Sequence, residues 1–118
     1  MKAVAAETSV YVWCGATDMR AGFERLSALV EAHCARTVLS GGVYLFVSRC
    51  RKRVKLLYWD NDGYALWYKR LEAGAFRVEK KEGIETITGV DLEELLSGTD
   101  LCRIMMKKSA EKGLYRAA

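Results

Sequence analysis

Arg49-Cys50-Arg51-Lys52-Arg53-Val54-Lys55-Leu56-Leu57-Tyr58-Trp59-Asp60-Asn61-Asp62-Gly63-Tyr64-Ala65-Leu66-Trp67-Tyr68-Lys69-Arg70-Leu71 holds the turn and the hairpin on which the fold depends. Residues 54–60 and 64–71 are two β-prone runs separated by turn formers, the pattern of an antiparallel pair. Asp62-Gly63 suits a two-residue turn in which both positions need positive φ. Asn61 then faces Tyr64, and the pairs 59–66, 57–68 and 55–70 share one side of the ribbon. That side carries Trp59, Leu66, Leu57, Tyr68, Lys55 and Arg70, while Tyr58, Trp67, Leu56, Lys69, Val54 and Leu71 point the other way. Lys55 opposite Arg70 is mildly unfavourable in a sheet, and both long side chains splay into water at the open end. A phosphate or acidic neighbour between them is the alternative relief. Ahead of the hairpin, no apolar residue interrupts the basic cluster until Val54, so residues 49–53 read as a turn.

Working outward, Val43-Tyr44-Leu45-Phe46-Val47 is a nearly continuous apolar run after Ser40-Gly41-Gly42, the mark of a central strand. Ser9–Trp13 is a further strand, ended by Cys14-Gly15. Between them Phe23, Leu26, Leu29, Val30, His33 and Cys34 recur at three- and four-residue steps, predicting a helix over 19–35 with Asp18 as its N-cap and Arg36 on its solvent side. Beyond the hairpin, Phe76–Lys80 alternates as a half-exposed strand, and Glu85–Ile87 forms a short one. Thr88-Gly89-Val90-Asp91 resembles a capping box ahead of Leu92, Leu95 and Leu96, with Gly98 as the stop. Residues 1–102 thus form a single α+β domain. Its mostly antiparallel sheet has four to six strands, one main helix packed on a face and a short C-terminal helix. Residues 103–118 are a basic tail, either a helix with a Met face or disordered.

The chain has 118 residues and a net charge of +4, but the charge is segregated. Residues 1–48 balance four basic against four acidic groups, residues 49–81 carry ten basic and four acidic, and residues 82–100 hold six acids and no base. Such a pattern points to a local positive surface. The bland reading is a solvated face whose charges pair with the acidic segment. No apolar run approaches the ~20 residues that span a bilayer, and no segment is laid out as a signal peptide, so a cytoplasmic protein without membrane contact is expected. Cys14, Cys34, Cys50 and Cys102 are far apart, form no C-x-x-C pair and are expected to be reduced thiols. With the single His33 they make no metal site, and no glycine pattern calls for a nucleotide cofactor.

Read together, Thr17-Asp18-Met19-Arg20 with Gly22-Phe23 and Leu26, then Leu45-Phe46-Val47, then Arg53–Asp60 carry a resemblance. It continues through Gly63, Leu66-Trp67-Tyr68-Lys69-Arg70-Leu71-Glu72, Gly74 and Phe76 to Leu95-Leu96-Ser97-Gly98 and Asp100. These blocks resemble the TnpB accessory protein, the second-reading-frame product of the IS-sixty-six group of bacterial insertion sequences, which is unrelated to the RNA-guided nuclease of the same name. The resemblance implies a small mixed α/β domain that assists movement of its element and brings no catalytic residues with it. Cys50 and the segment beyond Leu101 lie outside the shared pattern.

Three kinds of chemistry then compete. Arg49, Arg51, Lys52, Arg53, Lys55, Lys69 and Arg70 are candidate phosphate contacts to DNA, with the hairpin aromatics in support on unpaired bases. A protein-interaction module is the second reading, in which Leu92-Leu95-Leu96 and Met105-Met106 dock onto the transposase, another product of the element or a second copy of the chain. A metal-dependent nuclease is the third, resting on Asp18, Asp60 and Asp62. Asp18 already has a capping role and Asp62 a turn role, so a non-enzymatic accessory protein that contacts DNA is expected.

Overall fold

A computed structural model describes residues 4–34 and 38–111. Five strands form one mixed sheet: β1 (Ser9–Ala16), β2 (Val43–Val47), β3 (Arg53–Asp60), β4 (Gly63–Arg70) and β5 (Ile84–Thr88), in the order β4-β3-β2-β1-β5. The continuous apolar run of β2 does occupy the middle position, and all five of its residues are buried. β1 and β2 are parallel, and the three remaining pairs are antiparallel. A parallel pair needs a long crossover. Here the connection is helix α1 (Phe23–Cys34) followed by a 3-10 turn at Val38–Ser40.

The sheet is covered on both faces. On one, Trp13, Tyr44, Phe46 and Leu57 pack against Leu26 and Val30 of α1, with Ala21 and Val38 at its ends. On the other, Val10, Val12, Leu45, Leu56 and Ile87 pack against helices α2 (Gly89–Leu96) and α3 (Leu101–Glu111) through Leu92, Leu95, Leu101 and Ile104. The C-terminal segment is therefore helical as far as Glu111, and its first turn is core. α2 starts on the anticipated capping box. Thr88 Oγ1 accepts from the Asp91 amide, and the Thr88 amide donates back to the Asp91 carboxylate at 3.0 Å. That carboxylate also holds Lys108 at 3.1 Å, tying α3 to the start of α2.

Three expectations about the main helix are corrected. The main helix begins at Phe23, four residues later than predicted. Asp18 does not cap it: its carboxylate accepts from the Arg20 amide and side chain, making a local turn ahead of the helix. The helix end predicted at residue 35, with Arg36, lies outside the described residues, as does the tail after 111. Within the apolar stripe, Leu26 and Val30 are buried, whereas Phe23 and His33 are exposed.

The hairpin turns on Asn61-Asp62, because Asn61 adopts the left-handed conformation (φ 57°) and Gly63 joins β4. Pairing moves by two residues, to Trp59↔Tyr64, Leu57↔Leu66, Lys55↔Tyr68 and Arg53↔Arg70. An even slip keeps every side chain on its predicted face. It does replace the opposed Lys55 and Arg70 with an opposed Arg53 and Arg70.

Finally, Phe76–Lys80 pairs with no strand, and the Val78 amide turns back to the Phe76 carbonyl at 3.0 Å. Phe76 and Val78 enter the core with the expected alternation, while the backbone is held by other means, described next.

Candidate nucleic-acid interface

The turn between β2 and β3 sends its cations in opposite directions. Arg51, in the left-handed region at φ 63°, points inward and is 5% exposed. Its Nε donates to the Val78 carbonyl at 3.1 Å, Nη1 to Ser48 at 3.2 Å, and Nη2 to the carbonyls of Cys14 and Glu79. Its own carbonyl accepts the Phe76 amide at 2.7 Å. The guanidinium thus supplies donors that a neighbouring strand would otherwise give to the carbonyls of residues 78–79, which is how they are satisfied without a ladder. Burial pushes the Arg51 pKa down from its ordinary value. Arg51 as a phosphate contact is accordingly overturned: it is a buried structural residue.

Lys55 is also diverted. Half-buried, its ammonium donates to the Ala21 carbonyl at 2.8 Å and lies 5.1 Å from the Tyr68 ring centroid. Lys69, by strand alternation, faces the α2 side, in a groove with Trp67, Leu92 and Leu96. Arg70 shares a face with Arg53 and pairs at 3.2 Å with Glu72, both ends exposed. Such an exposed pair is worth at most about 1 kcal/mol. Lys52 is exposed in the turn itself. The seven candidates are therefore not one ridge.

What the structure does assemble is an open cleft of about 760 Å³, lined by Arg20, Arg49, Cys50, Arg53, Tyr68 and Lys80 together with Asp18. Among the described residues no carboxylate lies within ion-pair distance of Arg49, Lys52, Arg53 or Lys80. Asp18, the cleft's one acid, is engaged by Arg20 at 2.7 Å. Hydrogen bonds from the Arg20 side chain and then its backbone amide hold the Asp18 carboxyl well below the usual carboxylate range. Of the acidic segment, Glu85 pairs with Lys81, a base outside the cleft, and Asp91 with Lys108. Internal neutralisation of the positive surface, the bland alternative, does not occur at these side chains.

Arg20 and Lys80 were not singled out from sequence. Arg20 stands in the Thr17-Asp18-Met19-Arg20 block but next to its own counter-ion, and Lys80 is one base among ten in residues 49–81. Cys50, exposed in the cleft, has its thiol pKa lowered by its contact with the Ser48 hydroxyl at 3.5 Å, by the Lys52 amide and, less, by Arg53. Asp60 and Asp62 sit at the hairpin tip, and no group of three or more potential metal ligands exists among the described residues.

A small mixed α/β domain with an open cationic cleft is the class that fold and surface define. A family model described as "IS66 Orf2 like protein" matches residues 8–106, and the chain belongs to that family. It is thereby an accessory protein of insertion-sequence transposition, associated with the machinery of its element. Two proteins of Sinorhizobium fredii (strain NBRC 101917 / NGR234) are similar to it. Uncharacterized protein y4hO is 35% identical over 92 residues, 77% of this chain and 80% of the relative. Uncharacterized protein y4jC is 30% identical over 91 residues, 76% of this chain and 78% of the relative. No solved structure matches. No helix among the described residues is long and apolar enough to cross a membrane.

Proposed function

We propose that the chain assists transposition by holding DNA against the cleft between the β2–β3 turn and the Asp18–Arg20 turn, without itself breaking or joining strands. The observation that carries this reading is the set of Arg49, Arg53 and Lys80 around one cleft with no carboxylate of the described residues paired to any of them. Charges so placed are available to phosphates, and release of the condensed counterions supplies affinity without reading sequence. Lys52 and Arg70 extend the same positive surface. The acidic hairpin tip, Asp60 and Asp62, sets its limit.

Filter binding of DNA from the element's ends, across salt, is the test. With about four phosphates engaged, affinity falls by roughly two orders of magnitude between 50 and 200 mM salt. Charge reversal at Arg49 and Arg53 removes most of the remainder and leaves the fold intact. Absent or salt-independent binding overturns the reading.

A second reading is supported by the groove of about 430 Å³ on the opposite face, where Trp67 and Leu96 remain partly accessible to a protein partner above the buried Leu92. Co-purification with the transposase after nuclease treatment separates it from tethering through DNA.

A further inference from the structure

Among the described residues, Tyr68 is the one aromatic side chain lining the cationic cleft, and half of it is exposed (50%). It is nevertheless held in place. The register sets it opposite Lys55, whose ammonium lies 5.1 Å from the ring centroid and is anchored to the Ala21 carbonyl at 2.8 Å. A phenol supported from one side and left open to a cleft full of cations is preorganised to stack.

Two residues further along β4 on the same face, about 7 Å away, Arg70 stands opposite Arg53. Like charges directly opposed weaken a sheet; the exposed Glu72 carboxylate meets Arg70 alone, at 3.2 Å, and an anion held between both arginines removes what remains of that cost. The far end of the hairpin is acidic through Asp60 and Asp62, which disfavours insertion of the ribbon, tip first, into a duplex groove. A polyanion is better received across the open end, where the register sets Tyr68 beside Arg53 and Arg70.

We infer that the cleft takes an unpaired DNA strand, with a phosphate between Arg53 and Arg70 and the adjoining base stacked on Tyr68. In a duplex the base faces are already covered by their neighbours, so this ring contributes only when the strand is single. The inference rests on the DNA reading above and adds which form of DNA is bound.

Fluorescence anisotropy with a labelled 20-mer of deoxythymidine, the same length of duplex, and a 20-mer of uridine tests it. The single DNA strand binds about tenfold more tightly than the duplex. Tyr68→Leu lowers single-strand affinity about tenfold while leaving duplex affinity unchanged, and Tyr68→Phe retains it. Photo-crosslinking of the unmodified protein to bromodeoxyuridine DNA, mapped by mass spectrometry, places the adduct on Tyr68 and does not depend on how a variant folds. Duplex binding as tight as single-strand binding, or crosslinks that avoid Tyr68, overturns the inference and leaves the DNA reading standing. Tighter binding of the uridine strand overturns the assignment to DNA. Loss of all binding, to every probe, sinks the underlying reading as well.

Discussion

The two faces of this sheet are built from the same strands, yet one is the more fully covered, with only a groove beside Trp67, and the other is left open along β4. Under α2 and α3, the covering reaches from β5 through β3, with Phe76, Val78, Leu101 and Ile104 all buried. Under α1 it stops short. Leu26 and Val30 cover β2 and β3, but Tyr64, Tyr68 and Arg70 of β4 remain exposed. The open strip lies next to cations that, among the described residues, have no carboxylate partner, and the closed face holds Arg51, the one buried cation among those residues. Position in the turn, not residue type, divides them: Arg51 takes the left-handed conformation and points in, while Arg53, two residues on, begins β3 and points out. Charge in one short cluster thus serves two ends, fold stability and surface potential.

The sharpest way to break that contrast is to compare the two arginines. Arg51→Met strips charged donors from the carbonyls of Cys14, Val78 and Glu79 and should cost about 3 kcal/mol or more in urea unfolding. Arg51→Lys should recover only part of this, since one ammonium cannot reproduce a forked set of donors. Arg53→Ala should stay within about 0.5 kcal/mol of the parent and lose DNA affinity instead. Equal stability costs at the two positions would erase the division drawn here.

A smaller effect sharpens the closed side. Asp91 and Lys108 are mostly covered, with side chains 16% and 21% exposed. Burial alone would raise the Asp91 pKa, but the Thr88 amide and hydroxyl together with Lys108 outweigh it, and the net shift is downward. A carboxylate depressed in the folded state contributes stability that is complete above the ordinary range near 4 and is lost as pH falls through the lower, folded value. Asp91→Ala should therefore cost about 1 kcal/mol at pH 7. Its difference from the parent protein should shrink only at pH values below about 4. A difference that is constant down to pH 2 would mean that Asp91 acts through packing alone.

Patterning made most of the architecture legible. The continuous apolar β2, the capping box of α2 and the face assignments of the hairpin all follow from local sequence, because each depends on residues close together in the chain. The exact pairing of β3 with β4 did not, since either Asn61-Asp62 or Asp62-Gly63 can turn the ribbon. Choosing between them requires knowing which pairing fills the sheet. The unpaired stretch at Phe76–Lys80 was misread as a strand for a related reason. Alternation reports which side chains are buried, and nothing local reveals that Arg51, some 27 residues earlier, donates to the Val78 carbonyl. The cleft was half legible: the charge segregation marked the right segment, but which cations turn inward is a property of one backbone angle at Arg51. Arg20 and Lys80 joined it from segments 29 residues before and 31 residues after Arg49, a meeting that only the fold arranges.

Cys50 offers the gentlest probe of the open face. Thiolate, not thiol, reacts with iodoacetamide. The Ser48 hydroxyl, then the Lys52 amide, and to a lesser degree Arg53 lower the Cys50 pKa and enlarge its thiolate fraction. Cys14 is buried and pushed up by that burial, and Cys102 is pushed up first by the charge of Glu79. Alkylation should therefore reach Cys50 before Cys102 and Cys14 last, as read by peptide mass spectrometry over time. Arg53→Ala should slow Cys50 by about twofold, because one screened charge at an exposed site shifts a pKa only slightly. Bound DNA should slow it by a few-fold more, since phosphates both occlude the thiol and disfavour its anion, two effects of the same sign. Cys102, on the α3 side, should react at its former rate throughout. If DNA slows Cys102 as much as Cys50, the nucleic acid is not confined to the face that α1 leaves open.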